Sequence, residues 1–157
     1  IMCTTNIFSV IDFKKLMEFV HERKIKYIND KRDTAITIDT TILRYPNHQN
    51  LSIITDEYKS CFDDTLRYMK ENQEGTNGNR PYYGFYDFEI ARLERLIEFM
   101  KHGVHDGDNI VLDVAREDFY IFVNEHDRRR GTNFLDTFPE LLNFYNVCKN
   151  LYTQNHS

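Results

Sequence analysis

The sequence predicts an α/β protein: a parallel strand–helix–strand–helix segment followed by a helical extension. Three observations predict it. Two runs rich in β-branched and aromatic residues, Met2–Phe8 and Ala35–Leu43, flank a stretch with helical periodicity, which is the order of a parallel βαβ unit. The stretch 72–84 (NQEGTNGNRPYYG) is polar, carries three of the six glycines and has no aliphatic residue, so it reads as a linker. Beyond it only helical periodicity remains. The chain therefore divides into a βαβα segment at 1–71, a linker at 72–84 and a helical extension at 85–157.

The first strand runs from Met2 to Phe8. Ser9-Val10-Ile11-Asp12 then has the spacing of a capping box, with Asp in place of Glu. Phe13, Leu16, Met17 and Val20 recur at i, i+3, i+4 and i+7, the apolar stripe of a helix ending near Lys24. A charged stretch, Lys24–Asp33, leads into the Ala35–Leu43 strand, which Arg44-Tyr45-Pro46 closes. Thr55-Asp56-Glu57 opens the next helix, with Tyr58, Phe62, Leu66 and Met69 along one side. After the linker, Ile90, Leu93, Ile97 and Met100 mark a helix ended by Gly103. Phe119, Phe122, Val123 and His126 mark another. Thr137-Phe138-Pro139-Glu140 opens the last, with Thr as N-cap and Pro in the first turn; Leu141, Phe144, Tyr145, Cys148 and Tyr152 give it an apolar face.

Composition excludes several classes. The 157 residues suffice for one core without metals or disulfides. Twelve Phe and ten Tyr spread along the chain exclude a disordered polymer. No run of about 18 apolar residues is present to span a bilayer. A net charge of −5 argues against duplex nucleic acid as the main partner. Cys3, Cys61 and Cys148 are sparse and odd in number, with no C-x-x-C, which fits buried thiols in a reducing, cytoplasmic setting. The first residue is Ile1, so the chain reads as a processed product or a piece of something longer.

The Ala35–Leu43 strand has two unlike faces. Ile36, Ile38, Thr40 and Ile42 lie on one; Ala35, Thr37, Asp39, Thr41 and Leu43 lie on the other. Both faces of a covered parallel strand are apolar, so Thr37, Asp39 and Thr41 call for a ligand, a partner or water. A substrate cavity and a solvated edge both satisfy them. His102-Gly103-Val104-His105-Asp106-Gly107-Asp108 gathers groups able to bind a divalent metal, yet its glycines also fit a solvated turn between helices. Arg128-Arg129-Arg130 could grip a phosphate, or answer the negative end of a helix dipole before a Gly131 turn. His48 and His126 have no nucleophile at fixed spacing. No G-x-S-x-G, Walker or G-x-G-x-x-G motif occurs, so hydrolase and nucleotide-triphosphatase readings lack their usual support.

Three segments in order resemble radical S-adenosylmethionine enzymes. Thr4-Thr5-Asn6-Ile7-Phe8-Ser9-Val10 is similar to a late strand of that family. Ile42-Leu43-Arg44-Tyr45-Pro46-Asn47-His48-Gln49-Asn50-Leu51-Ser52-Ile53, followed by Thr55-Asp56-Glu57-Tyr58-Lys59, resembles the next strand and its exit. Asp127-x-x-Arg130-Gly131-Thr132-Asn133-Phe134, with Phe138-Pro139-Glu140-Leu141, is similar to the tail of members with a short twitch-type region. The resemblance implies a partial parallel (β/α) barrel segment followed by a helical C-terminal extension, with residues 3–8 pairing in parallel with 35–43. It also implies that Asn6 faces S-adenosylmethionine and that Thr37, Asp39 and Thr41 face the substrate.

The family's defining C-x-x-x-C-x-x-C, which holds a 4Fe–4S cluster, is absent. The resemblance therefore describes a C-terminal portion, inactive without a cluster-binding N-terminal half that is its implied partner, acting on a small-molecule or peptide substrate of unknown identity. The alternative from another class is a small non-enzymatic interaction protein of viral or mobile-element type. A third reading is a phosphate or single-stranded nucleic-acid binder using Arg128–Arg130.

Overall fold

A computed structural model describes residues 1–27, 36–75, 83–102 and 111–156. Strand β1 (Met2–Thr5) pairs in parallel with β2 (Asp39–Ile42), in the register Met2↔Asp39 to Thr5↔Ile42. The parallel sense expected from the resemblance is thus observed. Helix α1 (Phe13–Tyr27) lies between the strands in sequence. It is followed by α2 (Ser60–Glu71), α3 (Asp87–His102), α4 (Leu112–Arg130), the short α5 (Phe134–Thr137) and α6 (Leu142–Asn155).

The α/β class and the partial (β/α) barrel are both overturned, because the described residues are mostly helical. Helix makes up 71% of the structure, and the sheet has only two strands among the described residues. The physical reason lies at both strand ends. β1 stops after Thr5 because Asn6 caps a turn of 3-10 helix at Ile7–Ser9: its side-chain oxygen accepts the Phe8 N–H at 3.0 Å. On β2, successive N–H groups point to opposite edges. Asp39 donates to the Ile1 carbonyl at 2.8 Å, whereas Ile38 donates to the Glu89 carboxylate at 2.7 Å. A side chain of α3 thus occupies the edge where a further strand would pair.

The capping box is also displaced from its predicted position. Asn6 and Ser9 form it, since the Ser9 hydroxyl accepts the Asn6 N–H at 3.3 Å, so the box closes the turn after β1 instead of opening α1. Thr137 likewise ends α5 and caps nothing; Asn133 caps α5 by accepting the Leu135 N–H, and Pro139–Leu141 forms a 3-10 turn before α6.

The helical stripes otherwise pack as their periodicity predicts. Phe13, Met17 and Val20 of α1, Phe62 and Met69 of α2, and Ile90, Leu93, Ile97 and Met100 of α3 are buried together. Phe119 and Val123 of α4 join Leu141, Phe144 and Cys148 in the same cluster, which draws on residues from both sides of 72–84. The ends of that stretch are pinned to each other: Glu74 donates to the Phe85 carbonyl and Phe85 to the Asn72 carbonyl, both at 2.9 Å. α4 ends where Gly131 takes a left-handed conformation, φ 64°, which glycine adopts without the Cβ penalty. No helix among the described residues is long and apolar enough to cross a membrane.

Candidate functional site

The two faces of the small sheet differ as the sequence predicts. Ile38 and Thr5 are buried on the face that packs against the helices. Thr4 and Thr41, paired in register, lie exposed on the opposite face beside Met2, which is 83% exposed. Asp39 shares that face and is half-buried, held by the Arg92 guanidinium of α3 at 2.5 Å. Arg92 in turn stands 5.5 Å from the centre of the Phe88 ring. Thr37 is half-buried and lies just before β2, outside the strand.

The structure therefore places Asp39 and Thr41 on one face with Thr4, Thr4 and Thr41 exposed and Asp39 half-buried. Asn6 follows β1 at its carboxyl end; its Oδ1 accepts both the Phe8 N–H and, at 3.2 Å, the Ser9 hydroxyl. That oxygen is committed to the cap, so the amide nitrogen is the part of Asn6 left to face a ligand.

A cleft of 420 Å³ opens where the chain leaves β1 and meets the end of α4. Phe8 packs against Phe138 at 5.5 Å, Phe119 at 6.1 Å and Phe134 at 6.3 Å between ring centres. Phe122 and His126, one turn apart on α4, continue the lining. The Phe122 ring also lies 4.7 Å from that of His48, which follows β2. Side chains from beyond the carboxyl ends of both parallel strands thus converge on one stretch of α4.

The polar part of the cleft is built by the turn after α4. One Asp127 oxygen accepts the Thr132 hydroxyl at 2.7 Å, and the other accepts the Phe134 N–H at 2.6 Å. The Asp127 carbonyl accepts the Gly131 N–H at 2.8 Å. The D-x-x-R-G-T-N-F segment is thus a folded unit in which Asp127 ties the end of α4 to the start of α5. Burial lowers the His48 pKa, only partly opposed by the Asp118 charge, which favours the neutral ring. Its Nε2 is buried without a hydrogen-bond partner among the described residues.

The arginine triplet is mostly occupied. Arg128 and Arg129 both hold Glu125, at 2.7 and 2.6 Å, and keep its carboxyl pKa down at about 2. Both arginines are thus engaged within their own helix, beside its Gly131 end. The His102–Asp108 cluster lies outside the described residues, apart from the backbone of His102.

The residues present do not fit an iron–sulfur cluster. Cys3 and Cys61 are half-buried and Cys148 is buried, on separate elements, and burial raises all three thiol pKa values, that of Cys148 to about 12. Such thiols resist becoming the thiolates that bind iron. No group of three or more His, Cys, Asp or Glu side chains among the described residues could hold a metal ion.

Comparison with family models, with curated proteins and with solved structures finds no match for this chain.

Two arrangements escaped the sequence. The Asp39–Arg92 pair joins residues far apart and leaves no local trace. The buried Lys24–Glu89 pair does leave one, since each residue falls on its helix's apolar stripe: Lys24 four residues after Val20, and Glu89 four before Leu93.

Proposed function

We propose that the chain is the C-terminal portion of a radical S-adenosylmethionine enzyme of unknown substrate, inert until joined by a polypeptide that supplies a C-x-x-x-C-x-x-C and its 4Fe–4S cluster. One observation carries this reading: a parallel strand pair with its isoleucine side packed on helices and a polar side on which Thr4 and Thr41 are exposed and Asp39 is half-buried. Parallel sheets are normally covered on both faces, so a part-exposed polar face suits a surface completed by more protein and a ligand.

The cluster would be held wholly by the other portion, because this chain has no thiolate set for it. When bound, it would supply the electron that splits S-adenosylmethionine. The part played by this chain is to present Thr37, Asp39 and Thr41 toward the substrate and the Asn6 amide toward the cofactor, with Arg92 fixing the Asp39 carboxylate. Three free cysteines and no disulfide among the described residues suit the cytoplasm.

The test is the coding sequence upstream of Ile1, followed by anaerobic reconstitution of the longer protein with iron and sulfide. The proposal expects the cysteine motif upstream and a 4Fe–4S electron paramagnetic resonance signal on reduction, with no signal from residues 1–157 alone. An upstream sequence without that motif overturns it.

A non-enzymatic binding protein is the second reading. It is favoured by the continuous core, in which β1, β2 and the helices of both segments bury one cluster without further protein. Under that reading Asp39→Ala and Thr41→Ala would weaken capture of a protein partner and leave no catalytic reaction to lose.

A further inference from the structure

We propose that the cleft between Phe8, Phe122 and the Asp127–Phe138 turn binds a small planar aromatic molecule that carries a hydrogen-bond donor and no negative charge. The inference concerns residues 1–157 alone and stands whether or not the chain works beside a cluster.

Size and position come first. At 420 Å³ the space falls within the range of small-molecule sites. It lies beyond the carboxyl end of β1, and His48, from beyond the carboxyl end of β2, lies against its Phe122 wall.

The lining then selects the ligand. Phe8, Phe134 and Phe138 pack ring against ring, the last two 5.3 Å apart, and present an aromatic wall. Phe122 adds a further ring from α4. Such surfaces favour a flat π-system, which gains offset-stacked and edge contacts beyond simple burial.

Charge completes the choice. Among the described residues, Asp127 is the one carboxylate lining the cleft, and no Lys or Arg lines it. Each Asp127 oxygen accepts one bond from the protein, whereas a carboxylate pair offers about four acceptor sites. It can therefore take a donor from a ligand and repels an anion. Arg128 and Arg129, which could have reversed that preference, are turned onto Glu125. His126, 3.7 Å from Asp127, adds a second polar contact at the mouth.

Tryptamine, indole and indole-3-acetate separate these terms, because they share a ring and differ in charge. The protein has no tryptophan, so indole emission excited beyond tyrosine absorption reports the ligand alone. Fluorescence anisotropy should rise saturably with protein for tryptamine, and indole-3-acetate should bind at least about tenfold more weakly. Phe122→Ala should weaken tryptamine about tenfold by removing one aromatic wall. Asp127→Asn should bring tryptamine and indole-3-acetate to within about threefold of each other, because the charge is gone while an acceptor remains. If Phe122→Ala fails to fold by circular dichroism, Phe122→Leu preserves the apolar volume while deleting the ring, and should weaken binding in the same direction. No saturable signal with tryptamine, unchanged binding in a folded Phe122 variant, or equal affinity for the anionic ligand would each overturn the proposal.

Discussion

Lys24 of α1 and Glu89 of α3 form an ion pair at 2.8 Å in which both side chains are wholly buried. The Glu89 carboxylate also accepts the N–H groups of Ile38, at 2.7 Å, and Tyr86, at 2.8 Å. The Lys24 ammonium stands 4.8 Å from the Tyr86 ring centre and 5.4 Å from that of Phe85. One carboxylate thus fastens the first helix, the approach to β2 and the first turn of α3. Lys24→Met should destabilise the protein by about 3–5 kcal/mol, because it strands a buried carboxylate. Urea unfolding followed by circular dichroism measures the loss, and a change below about 1 kcal/mol would show that the pair is not buried as described.

Acid should weaken the fold through two imidazoles. Burial and the neighbouring Lys24 charge lower the His21 pKa, and burial lowers that of His48. Both rings stay neutral in the folded state while the unfolded chain takes up protons near its ordinary value of 6.5. The unfolded state therefore binds more protons below that pH. Stability is fully present above 6.5 and falls as the pH drops toward the folded-state values. Urea midpoints across that window should decline, and the double variant His21→Gln, His48→Gln should flatten the decline.

Gly131 should tolerate a side chain at modest cost. Its φ of 64° is left-handed, and an added Cβ would meet nothing within 4 Å, so strain is purely conformational. Gly131→Ala should cost about 1 kcal/mol in urea unfolding, and Gly131→Asn less, since Asn enters this conformation more readily.

Gly84 should be less forgiving. A Cβ there would stand 2.6 Å from the Asn72 carbonyl oxygen and press on the Glu74 amide, both rigid backbone. Gly84→Ala should cost about 1–3 kcal/mol by prising apart the segment ends that Glu74 and Phe85 close. Loss of amide protection at Glu74 and Phe85 by hydrogen exchange would locate the damage.

Much of the helical part was legible in the sequence because burial follows a 3.6-residue period. Phe13, Met17 and Val20, and Ile90, Leu93, Ile97 and Met100, needed no partner to be recognised. The sheet was half legible. Alternation separated Ile38 from Asp39 and Thr41, and the order strand–helix–strand implied the parallel sense. Strand length and sheet width were hidden, because a cap at Asn6 sets the first and a carboxylate arriving from α3 sets the second. Local patterning says nothing about a side chain that comes from Glu89. The turn after α4 was misread for a related reason: Thr137 has the composition of a cap, but Asn133, placed by the Asp127 bonds, is the residue that performs it. Among the proposed site residues, the shared face of Asp39 and Thr41 was readable from period two. Their clamp, Arg92, was not.

Under the proposed function, this chain lends its polar sheet face to radical chemistry begun elsewhere in a longer polypeptide. The most direct measurement is 5′-deoxyadenosine released from S-adenosylmethionine by the cluster-loaded longer protein under reducing, anaerobic conditions. That protein should release it, and residues 1–157 alone should not. A protein carrying a reduced 4Fe–4S cluster that binds S-adenosylmethionine and forms no 5′-deoxyadenosine would contradict it.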